Sequence, residues 1–188
     1  MAHIVVLGAG LGGSIMAYEL ADEIGKGDTI TVVTKDPTYH FVPSNPWVAV
    51  GWRERDDITI DLAPTMKKKG IKFVTTAAQR LHPEENRLEL IDGTSISYDY
   101  IVIATGPELA FDEIEGLGPH GGFTQSVCHI DHALQAKVVF EELMKNPGPV
   151  IIGAVQGASC YGPAYEFCFI LETALRKAKI RDQVPITF

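Results

Sequence analysis

A glycine-rich turn near the N-terminus constrains the fold of this chain more than any other feature of the sequence. The turn, Gly8-Ala9-Gly10-Leu11-Gly12-Gly13, follows the apolar run His3–Leu7 and precedes a segment with helical periodicity, Ser14–Ile24. A β-branched stretch, Thr29–Thr34, comes next. A strand, a glycine turn, a helix and a second strand form a βαβ unit of roughly 30 residues, whose two strands lie parallel.

The spacing of these glycines is that of a dinucleotide-binding turn, G-x-G-x-x-G. In such a turn the first glycine permits a tight bend, the second lets the backbone approach a pyrophosphate, and the third allows the helix to pack closely on the strand. The N-terminus of the helix attracts the anion. We therefore predict that Gly8, Gly10, Leu11, Gly12 and Gly13 bind a dinucleotide.

The residues after the second predicted strand depart from the usual NAD pattern. An acidic ribose ligand is expected about 20 residues beyond the glycines, but the strand here ends Val33-Thr34-Lys35-Asp36. Thr34 holds the expected position, and Lys35 can meet a phosphate or a ribose hydroxyl. Asp36 is interpreted as a solvated turn residue. The departure argues against NAD and leaves FAD open.

The middle of the chain favours FAD. Alternating segments at Ala78–His82, Arg87–Ile91 and Thr94–Ser97 predict an antiparallel meander, and Tyr100–Ala104 predicts another buried strand. The turn that follows, Ala104-Thr105-Gly106, resembles the second FAD fingerprint of flavoproteins with two dinucleotide-binding domains. The resemblance implies that the first βαβ unit, the meander and this turn together bind FAD.

The remaining segments predict the start of a second unit of the same kind. Before it, Lys35–Arg55 is rich in proline and aromatic residues, and predicts an ordered irregular segment with a short helix near Trp47. The other predicted elements are helices at Asp61–Lys69, Asp131–Lys145 and Pro163–Lys179, and strands at Ile71–Thr75, Pro149–Ile152 and Val184–Phe188.

The predicted fold class is α/β: a Rossmann-like FAD-binding domain with a parallel sheet and an antiparallel meander, plus the start of a second Rossmann-like domain. We expect residues 1–110 to form the first FAD-binding segment, 111–147 a connecting segment with a helix, and 148–188 the beginning of the second domain. One strand, one helix and an unfinished strand cannot close a core. We therefore expect the chain to be the N-terminal part of a longer protein.

Composition excludes several classes of protein. Lys and Arg number 16 against 24 Asp and Glu, a net charge of −8, so nucleic acid is not an expected partner. A hydrophobic fraction of 46% excludes wholesale disorder, and three cysteines indicate thiols rather than a disulfide framework. The start lacks a basic region, and the longest uncharged run, Asn146–Tyr165, contains three prolines. We expect neither a signal peptide nor a transmembrane helix.

The second glycine turn has lost the spacing that a nicotinamide dinucleotide needs. It runs Gly153-Ala154-Val155-Gln156-Gly157-Ala158-Ser159-Cys160, with Val155 where a second glycine would admit the pyrophosphate. The electron donor is therefore expected to differ from NAD(P)H. Cys160, near a predicted helix start, is a candidate redox thiol because a helix N-terminus favours the thiolate. The alternative is a small buried residue in a tight turn.

The chain has two other cysteines, and a histidine close to one of them is a further candidate for chemistry. Cys168 lies within a predicted helix among apolar residues and is expected to be a core thiol. Cys128 is close to His129 and His132, but this spacing is not that of a zinc site, so no metal is predicted. His132 is a candidate proton carrier or a capping-turn residue.

Two stretches of the sequence closely resemble sulfide:quinone oxidoreductases of the type found in acidophilic bacteria. They are Tyr39-His40-Phe41-Val42-Pro43-Ser44-Asn45-Pro46 and the segment Gly153–Glu166, and the resemblance covers all 188 residues. It implies an FAD enzyme that oxidises hydrogen sulfide to sulfane sulfur or polysulfide and reduces ubiquinone or a related quinone. It also implies a peripheral, monotopic protein of the bacterial inner membrane, held there by a C-terminal region absent from this sequence. A homo-oligomer is one option.

The resemblance assigns roles to individual residues. Cys160 matches one of two redox cysteines beside the flavin, and Cys128 matches a third, less essential cysteine on the sulfide side. Sulfide attacks an oxidised cysteine pair, Cys160 carries a persulfide, and the electrons pass through FAD to the quinone. His132 and Glu166 are the candidate proton carriers, with a helix first-turn acid as the alternative for Glu166. The predicted FAD contacts are Gly8, Gly10, Leu11, Gly12, Gly13, Thr34, Lys35, Val42, Ala78, Thr105 and Gly106.

Three alternatives stay open. A type II NADH:quinone oxidoreductase shares the fold, but it needs a working second glycine turn, and Val155 and Cys160 argue against one. The flavoprotein subunit of a flavocytochrome c sulfide dehydrogenase is exported, and no signal peptide is expected here. A nucleotide-binding or redox-sensing module without catalysis is the third.

Overall fold

The chain divides into two units in the computed structural model, which describes residues 1–158 and 160–188. The first unit consists of residues 1–40 and 59–109, and the second of residues 41–58 and 110–188. Ser159, part of the second glycine turn, lies outside the described residues. The predicted segments 1–110, 111–147 and 148–188 remain a prediction.

The helices and strands are numbered here in chain order. They are β1 His3–Leu7, α1 Leu11–Glu23, β2 Thr29–Thr34, β3 Thr38–His40, α2 Asn45–Ala49, β4 Thr59–Asp61, α3 Leu62–Lys68, β5 Lys72–Thr75, β6 Ala78–His82, β7 Arg87–Leu90, β8 Ser95–Ser97, β9 Tyr100–Ile103, α4 Ile130–Lys145, β10 Val150–Ile151, α5 Gly162–Lys177 and β11 Ile186–Thr187. Short 3₁₀ helices span Val42–Ser44, Arg55–Ile58, Pro83–Glu85, Phe111–Glu113 and Arg181–Gln183.

The first unit is built on a parallel sheet in the order β5-β2-β1-β9. The meander β6-β7-β8 is antiparallel, and both features confirm the α/β prediction. The neighbours Val5 and Val6 point to opposite faces of β1, and both are fully buried. Val6 packs with residues of α1 and α3, whereas Val5 packs with Leu88 and Leu90 of the meander. The central strand is therefore covered on both faces, as its continuous apolar run predicts.

The segment predicted to be ordered but irregular, Lys35–Arg55, contains more regular secondary structure than expected. The short helix near Trp47 is confirmed as α2, which belongs to the second unit. The prediction is wrong at Thr38–His40, which forms β3 and pairs antiparallel with Thr59–Asp61. Three residues are too few to show a strand period in the sequence.

The second unit packs α4 and α5 against the parallel pair β10 and β11. The apolar face of α5 is centred on Ile170, Leu171 and Leu175, all buried, as its helical spacing predicts. Pro163 lies in the first turn of α5, where its missing N–H costs no hydrogen bond. Within the part of the chain that is described, none of the helices combines the length and apolar character that crossing a bilayer requires.

Candidate functional site

In the first unit the chain turns at the carboxyl ends of three adjacent strands, β1, β2 and β9. Leu7 at the end of β1 stands in register with Val33 of β2 and Ile103 of β9. The amide of Gly8 donates to the Val33 carbonyl oxygen at 2.8 Å, which places the glycine turn beside the end of β2. Open parallel sheets bind ligands at this edge, where neighbouring strands lead into connections on opposite sides.

Two glycines of the first turn are required by the packing of the protein itself. Gly8 has φ +102°, and a Cβ built there overlaps the backbone carbonyl of Ala104. A Cβ on Gly13 overlaps the carbonyl of Gly8, so α1 lies directly against the turn. These are the tight bend and the close helix approach that the first and third glycines of the motif predict.

The other glycines of the turn face open space. A Cβ on Gly10 or on Gly12 has no heavy atom within 4 Å. Gly10 is the N-cap of α1 and provides no side-chain hydrogen bond, which leaves the first-turn amides of the helix without a side-chain cap. The space and the exposed N–H donors fit a pyrophosphate, as an FAD site at this edge requires. Gly106 at the end of β9 also has positive φ, +77°, and open surroundings.

The residues after β2 form a local hydrogen-bonded turn. The Thr34 hydroxyl donates to the carbonyl oxygen of Asp36 at 3.1 Å. The Asp36 carboxylate accepts a hydrogen bond from the amide of Thr38 at 2.8 Å, and lies 3.8 Å from Nε2 of His40. Asp36 is a turn residue with a half-exposed side chain, as predicted, and its carboxylate also holds the start of β3. Lys35 is exposed.

The other predicted FAD contacts are distributed over both units. Leu11 is exposed at the first position of α1, and Thr105 is exposed after β9. Ala78 begins β6, opposite Leu90 of β7. Val42 belongs to the second unit, where it is half-exposed and begins a 3₁₀ helix. Their contacts with FAD remain predictions.

The second unit presents two of its three cysteines to solvent. Cys160 is exposed and directly precedes Tyr161, the N-cap of α5, whose side chain makes no capping hydrogen bond. The alternative of a buried turn residue is therefore wrong for Cys160. Cys128 is exposed as well, and its amide donates a hydrogen bond to the Ser126 hydroxyl oxygen at 3.1 Å. Cys168 is half-buried against the α5 core, which confirms the expected core thiol.

His132 is buried near the start of α4, with 8% of its surface exposed. It is the third residue of the helix, and the N-cap is His129, whose Nδ1 accepts a hydrogen bond from the amide of Asp131 at 3.4 Å. The capping alternative for His132 is therefore wrong. Burial, and then repulsion from His129 and His120, lower the pKa of His132 below its ordinary value. Its neutral form, a proton acceptor, is favoured.

Glu166 is exposed and lies in the second turn of α5, so the alternative of a first-turn acid is wrong. It lines an open groove of about 700 Å³ together with Trp47, Trp52, Tyr165 and Phe169. The groove could not be predicted from the sequence, because α2 and α5 are far apart along the chain. Among the described residues, no group of three or more His, Cys, Asp or Glu side chains could hold a metal ion.

Sequence reasoning also missed His120. The centroid of its ring lies 5.1 Å from that of His132. The 12-residue separation carries no periodic signal, because His120 belongs to a glycine-rich loop rather than to the helix of His132.

Comparison with known proteins gives consistent results. A curated relative named sulfide-quinone reductase, from Aquifex aeolicus, is 42% identical over 99% of this chain and 42% of its own length. The crystal structure of the sulfide:quinone oxidoreductase from that bacterium superposes with a TM-score of 0.92 at 41% identity, over 100% of this chain and 43% of that one. The chain thus spans about two fifths of the length of these relatives.

A more distant solved structure shares the fold alone. It is NDH2 from Plasmodium falciparum in complex with NADH, with a TM-score of 0.67 and 19% identity over 98% of this chain and 41% of that one. The family model described as pyridine nucleotide-disulphide oxidoreductase matches residues 2–159. That match runs from the start of the first unit into the second glycine turn and ends one residue before Cys160. The chain therefore belongs to the pyridine nucleotide-disulphide oxidoreductase family.

Proposed function

We propose that the intact protein is an FAD-dependent sulfide:quinone oxidoreductase. It oxidises hydrogen sulfide to sulfane sulfur or polysulfide and passes two electrons to ubiquinone or a related quinone. The observation that carries the proposal is the second glycine turn, where Val155 replaces a glycine of the nicotinamide fingerprint and an exposed cysteine, Cys160, stands before the N-cap of α5. The 42% identity to a sulfide-quinone reductase supports it.

The first unit holds the cofactor in this proposal. The open space over Gly10 and Gly12 takes the pyrophosphate at the N-terminus of α1. Lys35 approaches the adenosine end from the end of β2, whereas the Thr34 hydroxyl is already engaged with Asp36. Leu11, Thr105 and Gly106 follow the same strand edge of the first unit, to which Ala78 also belongs; Val42, of the second unit, is the remaining expected contact. When bound, FAD supplies the two-electron chemistry between sulfur and quinone.

The cysteines bind and activate sulfur. The sulfur of HS⁻ forms a bond to one sulfur of an oxidised cysteine pair, and the bond within the pair breaks. Cys160 is the member of that pair in this chain, and it carries the persulfide or is released as the thiolate. Cys160 stands directly before the N-cap of α5, whose side chain makes no capping hydrogen bond. Cys128, exposed in the same unit, assists on the sulfide side.

Protons leave as sulfur is oxidised. Conversion of one H₂S to sulfane sulfur releases two electrons and two protons, and reduction of the quinone takes up two protons. The neutral imidazole of His132 accepts a proton on the sulfide side, a role that its burial favours. Glu166, exposed in the groove beside Tyr165, is the second carrier.

The setting of the intact enzyme follows from its substrate. Because quinones reside in lipid, the protein is a peripheral, monotopic protein of the bacterial inner membrane that touches its surface through residues outside this sequence. Residues 148–188 begin the second Rossmann-like domain, after the FAD-binding segment 1–110 and the connection 111–147. Self-association into a homo-oligomer is compatible with this arrangement.

A type II NADH:quinone oxidoreductase is the second candidate, and Val155 disfavours it. The side chain of this residue, 39% exposed, occupies the position where a nicotinamide dinucleotide needs a bare backbone. An anaerobic titration of the full-length flavoprotein separates the two. We expect sulfide to bleach the flavin absorbance and a quinone to restore it, with NADH producing no bleaching. Bleaching by NADH and not by sulfide would overturn the proposal in favour of the second candidate.

A further inference from the structure

Three histidines meet at the start of α4 and form what is called here the histidine cluster: His120, His129 and His132. The ring centroid of His132 lies 5.1 Å from that of His120 and 5.5 Å from that of His129. Phe111 packs against His132 from another side, with 5.5 Å between centroids. Rings from positions 111, 120 and 129 therefore surround the imidazole of His132.

One histidine of the cluster is buried, and the two beside it are exposed to solvent. His132 is about nine-tenths buried, whereas His120 and His129 are exposed. Nδ1 of His132 is buried and has no hydrogen-bond partner among the groups described. A buried ring nitrogen without a partner is costly, so such a nitrogen in a native structure calls for a ligand, a water or a proton-transfer role.

The loop that carries His120 is held in place by several contacts. Gln135 of α4 donates from Nε2 to the carbonyl oxygen of Pro119 at 3.0 Å, one residue before His120. The amide of Gly118 donates to the Thr124 hydroxyl at 2.8 Å. Gly118 has φ +98°, and a Cβ there would lie 2.8 Å from the Phe111 ring. The loop backbone that carries His120 is therefore held by the fold.

The charges around His132 favour proton movement outward. The titratable groups that face it are His120 from the loop and His129 and Asp131 from the start of α4, while Phe111 is neutral. Nδ1 of His129 lies 3.6 Å from a carboxylate oxygen of Asp131, at the exposed end of the cluster. Burial disfavours the charged form of His132. A proton that His132 takes up is therefore held weakly.

We propose that His120 and His129 carry protons from His132 to solvent, as a relay that serves oxidation of the sulfur substrate. The inference rests on the proposed function. Each H₂S oxidised to sulfane sulfur yields two protons, and its two electrons leave through FAD to the quinone. His132 takes a proton at its neutral ring nitrogen and passes it to His120 or His129, through one bridging water or by rotation of an exposed ring. His132 then returns to its neutral form.

The test compares variants of the full-length flavoprotein that keep the packing and remove the proton carrier. H120F retains an aromatic ring against His132, and H129N retains a good N-cap for α4. Because either ring can take the proton and a positioned proton acceptor contributes roughly 10²–10⁴-fold to a rate, we expect the double variant H120F/H129N to slow sulfide-driven flavin reduction by about tenfold or more. Added imidazole buffer should restore most of the rate. The control H82N, a histidine of the first unit paired with Glu89, should react at the wild-type rate.

A second readout does not depend on turnover. In histidine-labelled protein followed by NMR, H120F should raise the pKa of His132, because repulsion between the two imidazolium forms is lost. A full rate in the double variant, no rescue by imidazole, or an unchanged His132 titration in H120F would each overturn the relay. If sulfide fails to bleach the wild-type flavin, the proposed function fails instead, and the coupling of His120 to His132 is decided by the NMR titration alone.

Discussion

The two kinds of glycine in the first turn should respond oppositely to the same added methyl group. Gly8→Ala places a Cβ against the Ala104 carbonyl and within 3.1 Å of the Thr105 Cα, at φ +102°. Left-handed backbone costs a residue other than glycine about 1–2 kcal/mol, and overpacking costs about 1–3 kcal/mol. We therefore expect Gly8→Ala to lower the free energy of unfolding by about 2–5 kcal/mol.

Gly10→Ala meets no atom within 4 Å and has an extended backbone, φ −67°. The loss of glycine at the N-cap should cost no more than about 1 kcal/mol. The same methyl group enters the space proposed for the pyrophosphate, so FAD affinity should fall by about tenfold or more, equivalent to roughly 1.4 kcal/mol.

Urea unfolding of the apoprotein measures the first effect, and fluorescence titration of the apoprotein with FAD measures the second. Gly8→Ala should be the less stable variant, and Gly10→Ala the one with near-normal stability and weak binding. Equal losses of stability in both variants, with unchanged FAD affinity in Gly10→Ala, would refute the account in which Gly8 is required for packing and Gly10 for binding the pyrophosphate.

Two further predictions concern the second unit. Burial holds the pKa of His132 below the ordinary 6.5, so the unfolded state binds more protons than the folded state near that pH. The free energy of unfolding should therefore fall as the pH drops through 6.5 and become constant below the pKa of the folded state. Urea titrations at several pH values should show this slope in the wild type and not in H132L. Asn45 is fully buried and donates from Nδ2 to the Val127 carbonyl oxygen at 3.0 Å. In urea unfolding, N45A should lower the free energy of unfolding by about 1–3 kcal/mol. An unchanged midpoint would mean that this hydrogen bond does not contribute to stability.

The sequence specified the elements with strong periodicity and a clear stop signal. The strand Ala78–His82 is confirmed to the residue, since alternation and the turns around it leave little freedom. The first helix begins at Leu11 rather than Ser14, because glycines are poor indicators of helix although Gly10 serves as its N-cap. The last helix ends at Lys177, and Lys179 adopts φ +63°, which no local pattern indicates.

The candidate site was predictable in part for the same reason. Gly8 and Gly13 follow from a contiguous motif whose geometry is local, and their predicted packing roles are confirmed. The hydrogen bond of Asp36 at the start of β3 was not predictable, because β3 is a three-residue strand that pairs with Thr59–Asp61 some 20 residues away. The histidine cluster depends on a loop folding back over α4. Contacts of this kind arise from tertiary packing, which spacing along the chain does not encode.

The redox role of Cys160 is tested most directly by anaerobic mixing of sulfide with the full-length C160A flavoprotein, followed at the flavin absorbance. We expect FAD to remain bound and its absorbance to persist, because the sulfur that links sulfide to the flavin is gone. C168A, which removes a half-buried thiol packed in the core, should bleach as the wild type does. Rapid bleaching of C160A at the wild-type rate would contradict a sulfur-transfer role for Cys160 and, with it, the proposed path of electrons.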